Sequence, residues 1–333
     1  MKFINIPILA ACLCACGSSP AGNGSDAAAS ESAGQQTTAE WPAFNADSAY
    51  AFVEAQVAMG PRVPGTPPHI RCRDFIIDKM ESYGADTVIL QSDRVVAFNG
   101  DKLPMHNIIA RFNTAAPRRI LIAAHYDTRP WADHDAAESN HSKPIDGAND
   151  GASGVGVALE LARNLAISTP DIGVDFLLTD VEDYGTSDNT PDEDSSWALG
   201  AQYFADNSPY TPADRPAYGI LLDMVGGRNA RFYREYFSEQ GARWVNSKVW
   251  QAAKAEGITR FINDVRGAIT DDHLFITQAG IPCIDIIECA NPQTGAFPPT
   301  WHTLADNMES IDAATLGDVG KTLMRVIYTE SRQ

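Results

Sequence analysis

Residues Arg119–Asp127 read RILIAAHYD. Five consecutive apolar residues, Ile120 to Ala124, run without polar interruption up to His125. A strand with one face in water would alternate; a strand covered on both faces need not, and that is the habit of buried, largely parallel sheets. Three further runs share the character: Val174–Thr179 (VDFLLT), Tyr218–Val225 (YGILLDMV) and Ile281–Ile287 (IPCIDII). Between and after them the pattern is helical, over Gly151–Leu165, Trp197–Ala205, Glu239–Glu256, Asp271–Ala279 and Ile311–Tyr328. Upstream, Tyr50, Val53 and Val57 recur at spacings of three and four, predicting a helix over Asn45–Met59. The breaker-rich loop Pro61–Pro68 leads to a helix over His69–Tyr83, stopped by Gly84. Thr87–Phe98 and Met105–Phe112 read as two strands able to pair. Strands alternating with helices predict a three-layer α/β/α fold with a mixed, mostly parallel central sheet, occupying 41–333 as one domain.

The chain has 333 residues, 44% hydrophobic and 20% charged, an ordinary globular composition. Acidic residues number 43 against 25 basic, a net charge of −18. Its longest basic run is the pair Arg118–Arg119, so neither nucleic acid nor anionic lipid would find a basic face.

Met1–Cys16 reads MKFINIPILAACLCAC. Lys2 precedes an apolar run, Phe3 to Ala15, too short to span a bilayer. The segment resembles a bacterial lipoprotein signal peptide, whose first residue after cleavage is a lipid-bearing cysteine. Cys16 is the preferred site and Cys12 the alternative, with a plain secretory peptide left open. The resemblance implies export and a lipid anchor to a bacterial membrane, facing periplasm or surface. Residues 17–40, rich in Ser, Gly, Ala, Gln and Thr, lack large apolar side chains and are expected to form a flexible tether. Of the domain cysteines, Cys72, Cys283 and Cys289, the last two either bridge or stay free; none has metal-site spacing.

The informative residues lie where the apolar runs stop. His125 and Asp127, Asp180–Asp183, Asp223 and Glu288 each fall at or just after such a run. Ligands of open α/β sheets bind outside the carboxyl ends of strands, so these groups are expected to converge on one rim. Asp150 (in GANDG), Asp271-Asp272-His273 and His302 (in WHT) extend the set. Carboxylates with imidazoles and no thiolates suit Zn²⁺, and three protein ligands would leave a fourth position open. In a neighbouring pair such as Glu182–Asp183, one carboxylate can bind metal while the other serves as a base. Each residue also has a plainer role: Asp150 as a helix cap, Asp180 as a hydrogen-bonded loop acid, His273 as a packed helix histidine.

The order HYDTR, GANDGASGVGVALELAR, DVEDYG, LLDMVG, TDDHLFITQAGIPCIDII, FPPTWHTLADNMESID resembles the zinc aminopeptidase-like metallopeptidases and, within them, the glutaminyl cyclases. The resemblance covers about Phe44 to the C-terminus. It implies one Zn²⁺ per chain held by Asp150, Asp183 and His302, with Glu182 as catalytic acid/base. It pairs Asp223 with Asp271 as catalytic acids joined by a short hydrogen bond. It makes Trp301 an aromatic wall and places His125, oriented by Asp127, among the substrate-binding residues. The implied activity is closure of N-terminal glutamine to pyroglutamate on peptides and proteins, with loss of ammonia, by a monomer.

Three departures stand out. The metal-binding member of the acidic pair is commonly Glu, whereas here it is Asp183. A histidine of the animal cyclases appears as Asp285. The acidic loop Thr186–Ser196 has no clear counterpart. A dinuclear aminopeptidase would use His125, Asp150, Asp183, Asp223 and His302 for two metals, and all five are present. A non-catalytic binding protein on the same fold would instead show losses from this set. The loop holding His134 and His141 reads as solvated, a metal or lid role being the other possibility.

Overall fold

The computed structural model describes residues 41–187, 191 and 193–330; the leader peptide, Cys12, Cys16 and the 17–40 tether fall outside the described residues. Helix α1 (Ala46–Val57) is capped by Asn45, whose side chain accepts the Ser48 N–H at 3.1 Å. Helix α2 (Pro67–Ser82) starts on prolines that lack only an N–H the first turn cannot use. Strands β1 (Thr87–Val96), β2 (Lys102–Phe112) and β3 (Arg119–His125) precede α3 (Ala152–Ile167), β4 (Gly173–Thr179), α4 (Leu199–Asp206) and β5 (Gly219–Asp223). Then come β6 (Phe232–Arg234), α5 (Tyr236–Gly241), α6 (Arg243–Ala255), β7 (Phe261–Val265), α7 (Asp272–Gln278), β8 (Cys283–Ile287) and α8 (Ala313–Glu330).

The central sheet has the order β1-β2-β4-β3-β5-β8. Strands β4, β3, β5 and β8 are parallel, and β2 runs antiparallel to both β1 and β4. Both faces are covered. Ile120, Ile122 and Ala124 of β3 pack with the α1, α3 and α8 layer, while Leu121 and Ala123 join Phe204 of α4 and Ile276 of α7 on the other side. Burial on both faces is why these strands carry no alternation, and each buried Ile or Leu contributes roughly 1.5–3 kcal/mol. No helix among the described residues is long and apolar enough to cross a membrane.

Two local features differ from the periodicity reading. The helix predicted over Glu239–Glu256 is two helices, because Ala242 leaves helical geometry at φ −143°. Strands β6 and β7 form a separate parallel pair, and β6 is too short for an alternation to register. Cys72, Cys283 and Cys289 are buried free thiols.

One close approach sets the position of the functional rim. A Cβ on Gly154 would lie 2.1 Å from the Leu222 carbonyl oxygen, and one on Gly151 would lie 2.5 Å from that of His125. Only glycine lets the start of α3 rest directly on the ends of β3 and β5. The GANDGASG segment is therefore a packing device that presents Asp150 above the sheet.

Candidate active site

The apolar strands end in a shared cavity of about 230 Å³. Asp150, Glu182, Asp183, Asp223, Asp271, Trp301 and His302 all line it. They come from the loops after β3, β4 and β5, the N-terminal cap of α7 and the segment before α8.

Asp150 joins two imidazoles. Its Oδ1 lies 3.1 Å from His125 Nε2, and its Oδ2 lies 3.6 Å from His302 Nε2. His302 Nε2 is 3.1 Å from Asp183 Oδ1, so the shorter acid reaches the cluster. His125 Nε2 also lies 3.3 Å from Asp223 Oδ1. His125 is 1% exposed and sits behind these carboxylates rather than on the cavity wall, so its ring meets Asp150 and Asp223, not the space a substrate would fill.

The electrostatics of the cluster follow from burial and crowded like charges. Burial, reinforced by Asp150, pushes Asp183 well up from the usual carboxylate range, and neither of its buried oxygens has a hydrogen-bond partner. Burial, followed by the neighbouring Arg129 charge, holds the His302 imidazole well below its ordinary value. Burial raises Asp223 to about 7, with the His125 contact opposing and Asp150 and Asp271 adding to the shift. Buried acids this close repel one another unless a proton or a positive ion sits between them. Ligand atoms of Asp150, Asp183 and His302 lie within 4.8 Å of one another. The measured 3.1 and 3.6 Å separations at His302 Nε2 bracket the edge of about 3.3 Å expected for tetrahedral zinc with bonds near 2.0 Å. Orphaned oxygens, an uncharged imidazole and this spacing fit zinc.

Hydrogen bonds to the backbone fix the loops that carry these side chains. Asp127, on the loop after β3, accepts the N–H groups of Glu182 and Asp183 at 3.1 and 3.2 Å. Asp306 accepts those of Asn149 and Asp150 at 2.8 and 3.1 Å. Buried Arg62 donates to the carbonyls of Tyr126 and Gly147 at 3.2 and 2.7 Å, tying the HYD and GAND loops together. Val181 and His302 hold φ of 53° and 54°, a left-handed geometry that costs a β-branched or bulky residue of order 1 kcal/mol or more. At Val181 it turns the chain so that Glu182 and Asp183 face the cavity.

Glu182 carries the only acid of the pair not committed to the cluster. Burial first, then Asp271 and Asp183, raise its carboxyl well above the ordinary range. Asp271 caps α7 through Oδ1, which accepts the Asp272 N–H at 2.5 Å, and its Oδ2 has no protein partner. Asp272 turns the other way and accepts the Thr179 hydroxyl. Behind Asp271, His273 and the Asp285 carboxylate, whose oxygens have no hydrogen-bond partner, complete a buried group. His273 Nε2 lies 3.3 Å from Glu235 Oε2.

Some strand-end acids do not converge. Asp180 faces away, meeting His69 Nε2 at 2.8 Å and accepting the His106 N–H at 2.7 Å. Glu288 lines a different cavity with Gly227 and Asn291. Asp150 is not a cap, since Gly151 holds that position without a side-chain bond.

The site also holds residues that strand-end reasoning does not reach. Asp133 lies 3.6 Å from His302 Nδ1 while pairing with the Arg129 guanidinium at 2.8 and 2.5 Å. The Trp197 ring stacks 6.0 Å from His302, and Trp301 stacks at 3.7 Å. His134 packs its ring 4.3 Å from Trp301, so the loop expected to be solvated forms part of the site's support. In the sequence Asp306 stands only within the stretch FPPTWHTLADNMESID, without a role of its own.

Residues 107–327 match peptidase family M28. A solved structure of Bacteroides thetaiotaomicron glutaminyl cyclase is 48% identical, spans 86% of this chain and 99% of its own, and superimposes with a TM-score of 0.83. A Zn-dependent exopeptidase from Parabacteroides distasonis is 46% identical over the same 86%, covering 99% of its own chain, with a TM-score of 0.82. The bovine glutaminyl-peptide cyclotransferase is 25% identical over 293 residues, covering 79% of this chain and 76% of the relative.

Proposed function

The chain belongs to peptidase family M28 and, within it, is related at nearly half identity to bacterial glutaminyl cyclases; from that footing we propose how its own residues perform the reaction. The protein is a glutaminyl-peptide cyclotransferase: it closes the N-terminal glutamine of peptides into pyroglutamate and releases ammonia. The observation that carries the reading is the Glu182 carboxyl, which lines a small cavity beside three metal-ligand candidates with its proton affinity raised by burial.

Asp150, Asp183 and His302 would hold one zinc ion per chain. When bound, zinc supplies Lewis-acid polarisation of the glutamine γ-carbonyl. Glu182 takes a proton from the attacking α-amine as the new C–N bond forms. It returns that proton to the departing amide nitrogen as the old C–N bond breaks, so a single group serves as base and then acid. Trp301 and Phe297, with ring centroids 4.5 Å apart, wall the glutaminyl side chain with apolar surface. Holding the tethered amine near its target carbon removes part of the entropic barrier. Asp223 and Asp271, lining the same cavity with raised proton affinity, are suited to share a proton and steady the amide nitrogen. His125 orients Asp150 and Asp223 from behind.

Mass analysis of a Gln-initiated peptide tests the reaction: cyclisation removes ammonia and leaves the chain intact. A second reading rests on His125, Asp150 and Asp223, whose ligand atoms also lie within 4.8 Å of one another. A second ion there would suit a dinuclear aminopeptidase; two metals per chain together with peptide-bond cleavage would favour it. The proposal extends to a single catalytic domain over 41–333 acting as a monomer. It also includes export and lipid attachment at Cys16, or at Cys12, for which the leader pattern is the support. Loss of membrane association in Cys16→Ala tests the preferred site.

A further inference from the structure

A second cavity, of about 410 Å³, opens beside the catalytic one. Phe98, Trp131, His134 and His141 line it, and Ser187 lines both cavities. The two are separated by little more than one ring, because His134 packs 4.3 Å from Trp301 on the catalytic wall. A peptide with its first residue in the catalytic cavity reaches the second cavity by crossing that rim.

The polar groups of the second cavity are largely engaged with one another. Arg129 is paired through two nitrogens with Asp133, so neither offers a free charge to an acidic or basic side chain. His141 Nε2 is bonded to the Asp135 carbonyl at 2.8 Å. Beside these groups stands an aromatic surface. Phe98 meets Trp131 edge-on at 6.1 Å, Trp131 meets Tyr184 at 4.8 Å, and Phe98 is 46% exposed just beyond the end of β1. An exposed aromatic shelf continuous with an enzyme's reaction cavity calls for an apolar occupant.

Resting on the cyclase reading, we propose that this cavity receives the side chain of the residue following glutamine and selects for an aromatic or large apolar one, with Phe98 and Trp131 as its specificity-determining residues. Charge plays little part in the choice, since the charged groups present neutralise each other.

The test compares a Gln-Phe peptide amide with Gln-Gly amide in the zinc-loaded wild type and in Phe98→Ala and Phe98→Leu. Phe98 is half exposed, so its loss leaves the fold in place, and an unchanged melting temperature verifies this. The expected result is a rise in KM of about fivefold or more for the Gln-Phe substrate alone in Phe98→Ala, with kcat and the Gln-Gly substrate unchanged. Phe98→Leu, which keeps apolar area, should recover most of the loss. Trp131→Ala should produce the same selective rise. If the wild type cyclises both peptides but the variants alter them equally or not at all, the subsite is overturned and the cyclase reading stands. If the wild type cyclises neither, the cyclase reading falls and the subsite with it.

Discussion

Asp127 holds Glu182 through its backbone: Oδ1 accepts the Glu182 N–H at 3.1 Å, and Oδ2 accepts that of Asp183 at 3.2 Å. One carboxylate thus sets the direction of both the candidate acid/base and a candidate metal ligand. Asp127→Ala is predicted to lower kcat about 10-fold or more and to weaken zinc binding together, because both side chains lose their registration. Parallel measurement of kcat and zinc affinity checks this; a change in only one would mean that Asp127 does not couple the pair.

Glu182→Gln keeps the shape of the cavity and removes the proton carrier. The variant is expected to retain zinc and lose about 10²–10⁴-fold in turnover. Metal content by elemental analysis beside ammonia release is the measurement, and loss of zinc would exchange the roles of Glu182 and Asp183.

Asp133 reaches His302 from the side remote from the cavity, 3.6 Å from Nδ1. Removing that nearby carboxylate in Asp133→Ala is predicted to weaken zinc affinity about 10- to 100-fold with a smaller effect on kcat at saturating zinc. Titration against a competing chelator reads the affinity directly.

Exhaustive chelation should abolish cyclisation and lower the melting temperature, and added zinc should restore both. Asp150 and Asp183, buried next to each other, repel without a cation, so the ion stabilises the native state by its differential binding. Full activity after chelation would remove the metal from the reaction.

Glu288 gives a pH signature away from the reaction site. Burial, opposed by the Asn291 hydrogen bond, raises its carboxyl from an ordinary 4.5 to about 7. The native state therefore holds this proton more tightly than the unfolded chain does. Its contribution is fully present below about pH 4.5 and is lost as the pH rises through 7. Glu288→Gln, neutral at every pH, is predicted to raise stability at pH 8 by about 1–3 kcal/mol and to leave it nearly unchanged at pH 4. Denaturant melts of the zinc-loaded proteins at the two pH values check it.

The sheet was legible because burial on both faces leaves an uninterrupted apolar run, and the reactive acids were legible because each run stops abruptly. His125, Glu182, Asp183 and Asp223 follow from that rule. The same rule cannot separate Asp183 from Asp180, three positions earlier. The difference lies in the left-handed turn at Val181, which sends one acid to His69 and the other to His302. Glu288 obeys the strand-end pattern and still faces another cavity. Asp133, Trp197 and Asp306 act through contacts between segments far apart in the chain, for which no local periodicity exists. The break at Ala242 and the short β6 escaped for a related reason: neither alters hydrophobic spacing over a window long enough to read.

Asp306 and His302 approach the Asp150 loop from near the C-terminal end of the chain. Until that segment docks, the Asp150 loop lacks the Asp306 tether and the candidate site lacks His302. The candidate site is therefore complete only once positions 156 apart in the chain have met.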